Sequence, residues 1–238
     1  MSRTFITVGV DVGQLQDPTA ISVVAFRPDP SDGTRRIAQV RHLERLPLRT
    51  TYPDVARRID ALLINLTNLI YPTTPELIVL VDVTGIGRAT FDMIQEVLPK
   101  KVRCIAVTLT AGMTAERKGR EWHVPKADFI ATLNRYMAER RLEIVASDEA
   151  RAFQRELRTF VGTKTGAATV ETGARSGAHD DLVISVGLAL LPDQTHRRPN
   201  HQRNALVVHS MAPRRVPIRR AYGGTIYADP ATGDLEWR

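Results

Sequence analysis

The sequence predicts an α/β fold: a mixed sheet, three antiparallel strands followed by parallel strands, flanked by helices. Three features carry that expectation. Strand-like apolar runs open the chain with only short polar turns between them, amphipathic helices then alternate with strands, and one strand and one helix are apolar almost throughout. The first feature makes a meander, the second supplies the crossovers that parallel strands need, and the third marks elements buried on every side.

Taken in order, "TFITVGVDVG" is a strand, "QLQDP" a turn and "TAISVVAFRP" a second strand. "DPSDG" is a turn, and "TRRIAQVRHLERLP" contains the third strand. "YPDVARRIDALLINLTNLI" is a helix whose apolar face is Val55, Ile59, Leu62, Leu63, Leu66 and Leu69. "ELIVLVDVTG" is a continuously apolar fourth strand, "GRATFDMIQEVL" a helix and "VRCIAVTLT" a fifth strand. "PKADFIATLNRYMAERR" is a helix with Pro125 at its first turn, "LEIVA" a short strand and "DEARAFQRELRTF" a further helix. "VGTKTGAATVETG" reads as a hairpin, and a buried helix over 178–191 closes the body. Residues 1–192 thus make one domain, and 193–238 a basic extension with prolines and glycines. The extension carries arginine pairs at Arg197–Arg198, Arg214–Arg215 and Arg219–Arg220, with short strands expected near "NALVVHS" and "GGTIYAD".

A hydrophobic fraction of 43% suffices for a packed core and excludes a disordered chain. The formal net charge of +7 points to a polyanionic partner, most simply nucleic acid. With one cysteine, Cys104, no internal disulfide can form and a cysteine zinc site is excluded, which fits a reducing compartment. No apolar run approaches membrane-spanning length and the N-terminus lacks the long apolar core of a signal peptide, so a soluble cytoplasmic protein is expected.

The stretch "GAHDDLVISVGLALL" raises the question of function. His179, Asp180 and Asp181 stand immediately before a dry helix. Adjacent carboxylates there are costly unless something compensates their charge. A helix N-terminus compensates part, so one aspartate is explained as an N-cap. The second calls for a cation.

The predicted strand order is that of a ribonuclease H-like sheet, in which the first and fourth strands lie side by side and a late helix packs against them. Asp11 ends the first strand, Asp82 ends the fourth, and Asp180 and Asp181 start the last helix, so three distant segments converge on one acidic cluster. Phosphodiester cleavage has use for such a cluster. Two Mg²⁺ or Mn²⁺ ions about 3.5–4 Å apart activate water and stabilise the leaving oxygen. Such ions take hard carboxylate ligands. Asp11 is assigned as the bridging ligand, with Asp82 on one ion and Asp181 on the other.

"VGVDVGQLQDPTAISVV", "LIVLVDVTGIGR", "WHVPKADFIATL" and "GAHDDLVISVGLALL" together resemble the nuclease domain of the phage terminase large subunit. The resemblance spans most of residues 5–192. It implies a metal-dependent endonuclease that cuts double-stranded viral DNA during genome packaging in the host cytoplasm. Its three acidic positions match Asp11, Asp82 and the Asp180–Asp181 pair, of which Asp181 is favoured as the direct ligand. Portal, the small terminase subunit and a separate ATPase motor are its implied partners. The complete family member carries that motor ahead of the nuclease, and the motor needs a G-x-x-x-x-G-K-[ST] loop. No lysine follows a glycine in this chain, so packaging ATPase activity is not expected of it.

Lys164, at a cationic hairpin tip, is the better candidate for a DNA contact, with Arg88 and Lys126 behind it. His179 is assigned an orienting role beside the metal ligands. Asp17, which precedes a proline, reads as a turn residue. Trp122 and His123 read as packing. Three other functions compete. An actin-like or sugar-kinase-like ATPase also uses D-x-G near its first strand but leaves "HDD" unexplained. A Holliday-junction resolvase-like nuclease would use the same fold and metal chemistry on branched DNA. A non-catalytic DNA-binding module would account for the charge alone.

Overall fold

A computed structural model describes residues 5–13, 17–70, 75–84, 87–162, 179–194, 216–219, 225–228 and 235–237. In chain order the elements are β1 (Phe5–Asp11), β2 (Ala20–Asp29), β3 (Asp32–Arg45), α1 (Tyr52–Ile70), β4 (Glu76–Asp82), α2 (Gly87–Val97) and β5 (Arg103–Thr110). There follow β6 (Glu116–Lys118), β7 (Glu121–Pro125), α3 (Lys126–Ala138), β8 (Leu142–Val145), α4 (Asp148–Gly162) and α5 (Asp181–Leu190). A 3₁₀ turn (Leu191–Gln194) and the strands β9 (Val216–Arg219), β10 (Thr225–Ala228) and β11 (Leu235–Trp237) complete the set.

All the strands join one sheet in the order β11-β10-β9-β8-β3-β2-β1-β4-β5-β7-β6. The predicted mixed sheet is present: β1, β2 and β3 form an antiparallel meander, and β4 and β5 add to β1 in parallel. The β2–β3 turn is closed by side chains, Asp29 accepting hydrogen bonds from Ser31 and Asp32 from Thr34. Thr51 and Asp54 bond reciprocally at the start of α1, which fixes where that helix begins.

Period-two alternation divides the core. Ile6, Val8 and Val10 of β1, with Leu77, Val79 and Val81 of β4, face α1 and α2. Phe5 of β1, with Ile78 and Leu80 of β4, faces α3, α4 and α5. Thr7, Gly9 and Asp11 share the parity of Phe5, and Asp82 that of Leu80, so both strand-end carboxylates belong to the α5 face. α5 carries apolar residues all round because the sheet lies under it and α3 and α4 flank it, burying Leu182, Val183, Val186, Leu188, Ala189 and Leu190.

Three differences from the sequence expectation stand out. The closing helix begins at Asp181 rather than 178, with Asp180 at the N-cap position. The β6–β7 hairpin was not expected; its alternation is hidden because β6 is charged and exposed, and only Trp122, Val124 and Pro125 of β7 turn inward. The "VGTKTGAATVETG" segment begins inside α4, which runs to Gly162, and its remainder lies outside the described residues. In the basic extension, "GGTIYAD" contains β10, whereas "NALVVHS" lies outside the described residues. β9 pairs in parallel with β8, so the extension's strands continue the sheet. No helix among the described residues is long and apolar enough to cross a membrane.

Candidate active site

Asp11 and Asp82 are direct partners in the parallel register of β1 and β4. Parallel strands that end together place their last side chains on the same face and edge. α5 then brings Asp181 to the same place. An added Cβ on Gly9 would lie 1.9 Å from the backbone oxygen of Ser185, so only glycine lets the helix backbone rest on β1. Thr7 fastens the other end of this helix–strand packing, its hydroxyl donating to the carbonyl of Ala189 at 2.8 Å. Ser185 lies four residues after Asp181, about 6 Å of helix. Asp11 lies two residues beyond Gly9, about 6.6 Å of strand. Helix and strand run oppositely here, so the two intervals match and Asp181 is carried to the level of Asp11.

The electrostatics follow from that crowding. Asp11 is held well above the ordinary carboxylate range by desolvation and then by the charges of Asp82, Asp181, Asp180 and Asp17. Desolvation also raises Asp82, opposed by hydrogen bonds from the Thr84 hydroxyl (2.5 Å) and amide (2.8 Å) and by the charge of Lys126. Asp181 is pushed up to about 6, chiefly by burial, against the attraction of Arg45 and His179. Four acids thus crowd Asp11 and disfavour its charged form, the situation that a bound cation relieves.

The residues fit a divalent ion. Asp181 is buried, and its Oδ2 has no hydrogen-bond partner. Ligand atoms of Asp17, His179 and Asp181 all lie within 4.8 Å of one another. Carboxylate oxygens with one imidazole nitrogen suit Mn²⁺ or Mg²⁺. Asp17 lies at a bend, as expected of a turn residue, and it also stands beside His179 and Asp181. Its backbone packs against Gly13, where an added Cβ would lie 2.1 Å from the backbone oxygen of Asp17, and the Gly13 amide donates to the Thr19 hydroxyl at 3.1 Å. The available sequence signal was an acid six residues after Asp11 in a glycine-containing loop, too common a pattern to single out.

The capping explanation for the Asp pair is also corrected. Asp180 occupies the N-cap position, but its side chain makes no capping hydrogen bond. Oε2 of Glu156, from α4, instead accepts from the amides of Leu182 (3.0 Å) and Val183 (3.4 Å). Glu156 was not found from the sequence, because nothing in "FQRELRTF" marks which charged residue of an amphipathic helix points inward.

A cleft beside the acids is lined by Asp82, Thr84, Lys126 and Asp180, with walls of Leu109, Phe129, Phe160 and Ile184. Lys126 opens α3 and stands at this cleft. His179 is exposed, its Nδ1 3.6 Å from Oδ2 of Asp181. Arg88 falls in the first turn of α2, its side chain outside the described residues, and Lys164 lies outside them altogether. Trp122 is buried as expected, with the Arg117 guanidinium stacked over its ring, whereas His123 is exposed.

Sheet order, strand directions and the helix over β1 define the class: a ribonuclease H-like α/β fold with an acidic centre at the ends of β1 and β4. No protein-family model and no curated protein sequence matches the chain. Among solved structures it is similar to the human cytomegalovirus terminase nuclease domain in a Mn-soaked form, at 13% identity over 79% of this chain and 82% of that one, TM-score 0.49. A second structure of that domain gives 14% identity, 77% and 81% coverage and a TM-score of 0.48. Thermus thermophilus RuvC gives 14% identity, 78% and 91% coverage and a TM-score of 0.33.

Proposed function

We propose that this chain is a metal-dependent endonuclease that cuts double-stranded DNA, acting as the cleavage component of viral genome packaging. The observation that carries the proposal is the convergence of Asp11, Asp82 and Asp181, from two adjacent strand ends and the helix across them, into a cluster whose charge the protein itself leaves under-compensated. A module that only bound DNA would gain nothing from buried acids that repel phosphate.

Asp11, Asp82, Asp181 and Asp180 would hold Mg²⁺ or Mn²⁺, with Asp17 and His179 extending the donor set around Asp181. When bound, such ions activate a water and stabilise the leaving oxygen. The remaining work falls to the chain. The sheet and α5 hold the acids rigidly, so no reorganisation is needed when charge develops. Lys126 places a cation at the cleft wall, where it can hold a phosphate next to the acids. Arg88, Lys164 and the arginine pairs of the extension supply phosphate interactions that give affinity without sequence preference. Portal, the small terminase subunit and a separate ATPase motor are the partners this function would need.

The test is incubation of the protein with supercoiled plasmid, linear duplex and a four-way junction, with Mn²⁺, Mg²⁺ or excess chelator. Nicking and linearisation with metal, abolished by chelator and without preference for the junction, is the expected result. Cutting that persists in excess chelator would overturn the metal assignment. Strong preference for the junction would move the function to a resolvase.

A further inference from the structure

Arg45, the last residue of β3, stands between two carboxylates. Its Nη2 makes an ion pair with Oε1 of Glu156, while its Nε lies 3.6 Å from Oδ2 of Asp181. Both Arg45 Nε and Asp181 Oδ2 are buried, and neither has a hydrogen-bond partner. The guanidinium is therefore engaged at Glu156 and stops short of bonding at Asp181. Glu156 cannot follow it, because its other oxygen is held by the Leu182 and Val183 amides at the start of α5. That end of a helix favours an anion, which keeps Glu156 charged and in place. An arginine released from Glu156 would find the Asp181 carboxylate within a small side-chain movement. A guanidinium–carboxylate pair is strong and directional, so it would occupy the oxygens that a cation needs.

We propose that Glu156 is a decoy carboxylate that draws Arg45 away from Asp181 and so leaves Asp181 available to a divalent cation. Glu156 is thus a positioning residue: it acts through Arg45 and touches no reacting group. The proposal rests on the assignment of Asp181 as a metal ligand. It gives the α4–α5 packing a role beyond satisfying the helix amides.

The experiment compares Mn²⁺ binding by calorimetry in the full chain, wild type, Glu156→Gln, Arg45→Gln and the double variant. Glutamine keeps an oxygen for the helix amides and loses the charge that holds Arg45. Glu156→Gln is expected to weaken Mn²⁺ binding about tenfold, and the double variant to return within about threefold of wild type, an interaction energy of the size found for directly coupled residues. Arg45→Gln alone is expected to bind Mn²⁺ at least as tightly as wild type, which keeps the test decisive if Glu156→Gln does not fold. Superimposable wild-type and Glu156→Gln curves, a double variant as weak as Glu156→Gln, or weaker binding by Arg45→Gln would each overturn the decoy. Absence of Mn²⁺ binding by the wild type would overturn the metal assignment itself, and the decoy with it.

Discussion

Asp11 of β1 and Asp82 of β4 face each other as register partners at the ends of two parallel strands, and each is desolvated. The pair is one of like charges, and the Lys126 charge that favours ionised Asp82 does not overcome the cost of its burial. The arrangement costs stability when ionised, and the molecule keeps it.

Neutral, shape-preserving substitutions should separate function from fold. Asp11→Asn, Asp82→Asn and Asp181→Asn are each expected to lower metal-dependent plasmid cleavage by at least about 100-fold, the upper end of losses seen when groups around a metal are altered. Their melting temperatures without metal should equal or exceed that of the wild type, because each removes mutual repulsion. Asp180→Asn should be milder than or equal to Asp181→Asn. Retention of near wild-type rates by Asp11→Asn, Asp82→Asn and Asp181→Asn together would show that the site is elsewhere.

The metal-free protein should be more stable at pH 5 than at pH 7.5. Asp181 titrates near 6 in the fold and near its ordinary 3.8 when unfolded, so between those values the native state binds the extra proton. Stability therefore falls as pH rises through that window and stays low above it. Asp11, held well above its ordinary range by burial and the neighbouring acids, acts in the same direction. Thermal melts in chelator across this range should show the trend, Asp181→Asn should flatten it, and Mn²⁺ at pH 7.5 should offset it. A wild-type melting temperature that climbs steadily from pH 5 to 7.5 in chelator would contradict the assignment.

Gly9→Ala should cost about 3 kcal/mol, at the upper end for over-packing, because the added carbon meets backbone rather than a movable side chain. The obstructing atom is the Ser185 carbonyl oxygen at 1.9 Å. Urea unfolding measures the loss. A midpoint unchanged from the wild type would mean that α5 does not rest on β1.

The arginine pairs of the extension should contribute to DNA affinity by neutralising phosphates. Substitution is a cleaner probe than truncation, since β9 pairs with β8 and its removal would expose a sheet edge. Replacing Arg214, Arg215, Arg219 and Arg220 by glutamine should flatten the log–log salt dependence of duplex binding by about 0.9 for each phosphate that is no longer neutralised. An unchanged slope would exclude these arginines from the DNA interface and favour a docking role for the extension.

Much of this architecture is legible in the sequence, because the periodicities of buried strands and helices are set locally. The alternation in "FITVGVD" and "ELIVLVD" assigns each strand its two faces and puts Asp11 and Asp82 on the same kind of position. The apolar run after Asp181 could only be a helix covered on most sides. Even the order of the first five strands follows, since a meander followed by crossover helices leaves few arrangements. What the sequence alone did not decide is which polar groups meet. Asp17 reaches His179 and Asp181 only because its backbone packs against Gly13, and Glu156 replaces Asp180 as the acceptor for the α5 amides only because α4 packs beside α5. Arg45, at the end of a strand far away in sequence, lies between Glu156 and Asp181 for the same reason. Hydrophobic burial is nondirectional and leaves a periodic trace along the chain. Hydrogen bonds and ion pairs act over a few ångströms between residues distant in sequence, and the packed structure alone brings those residues together.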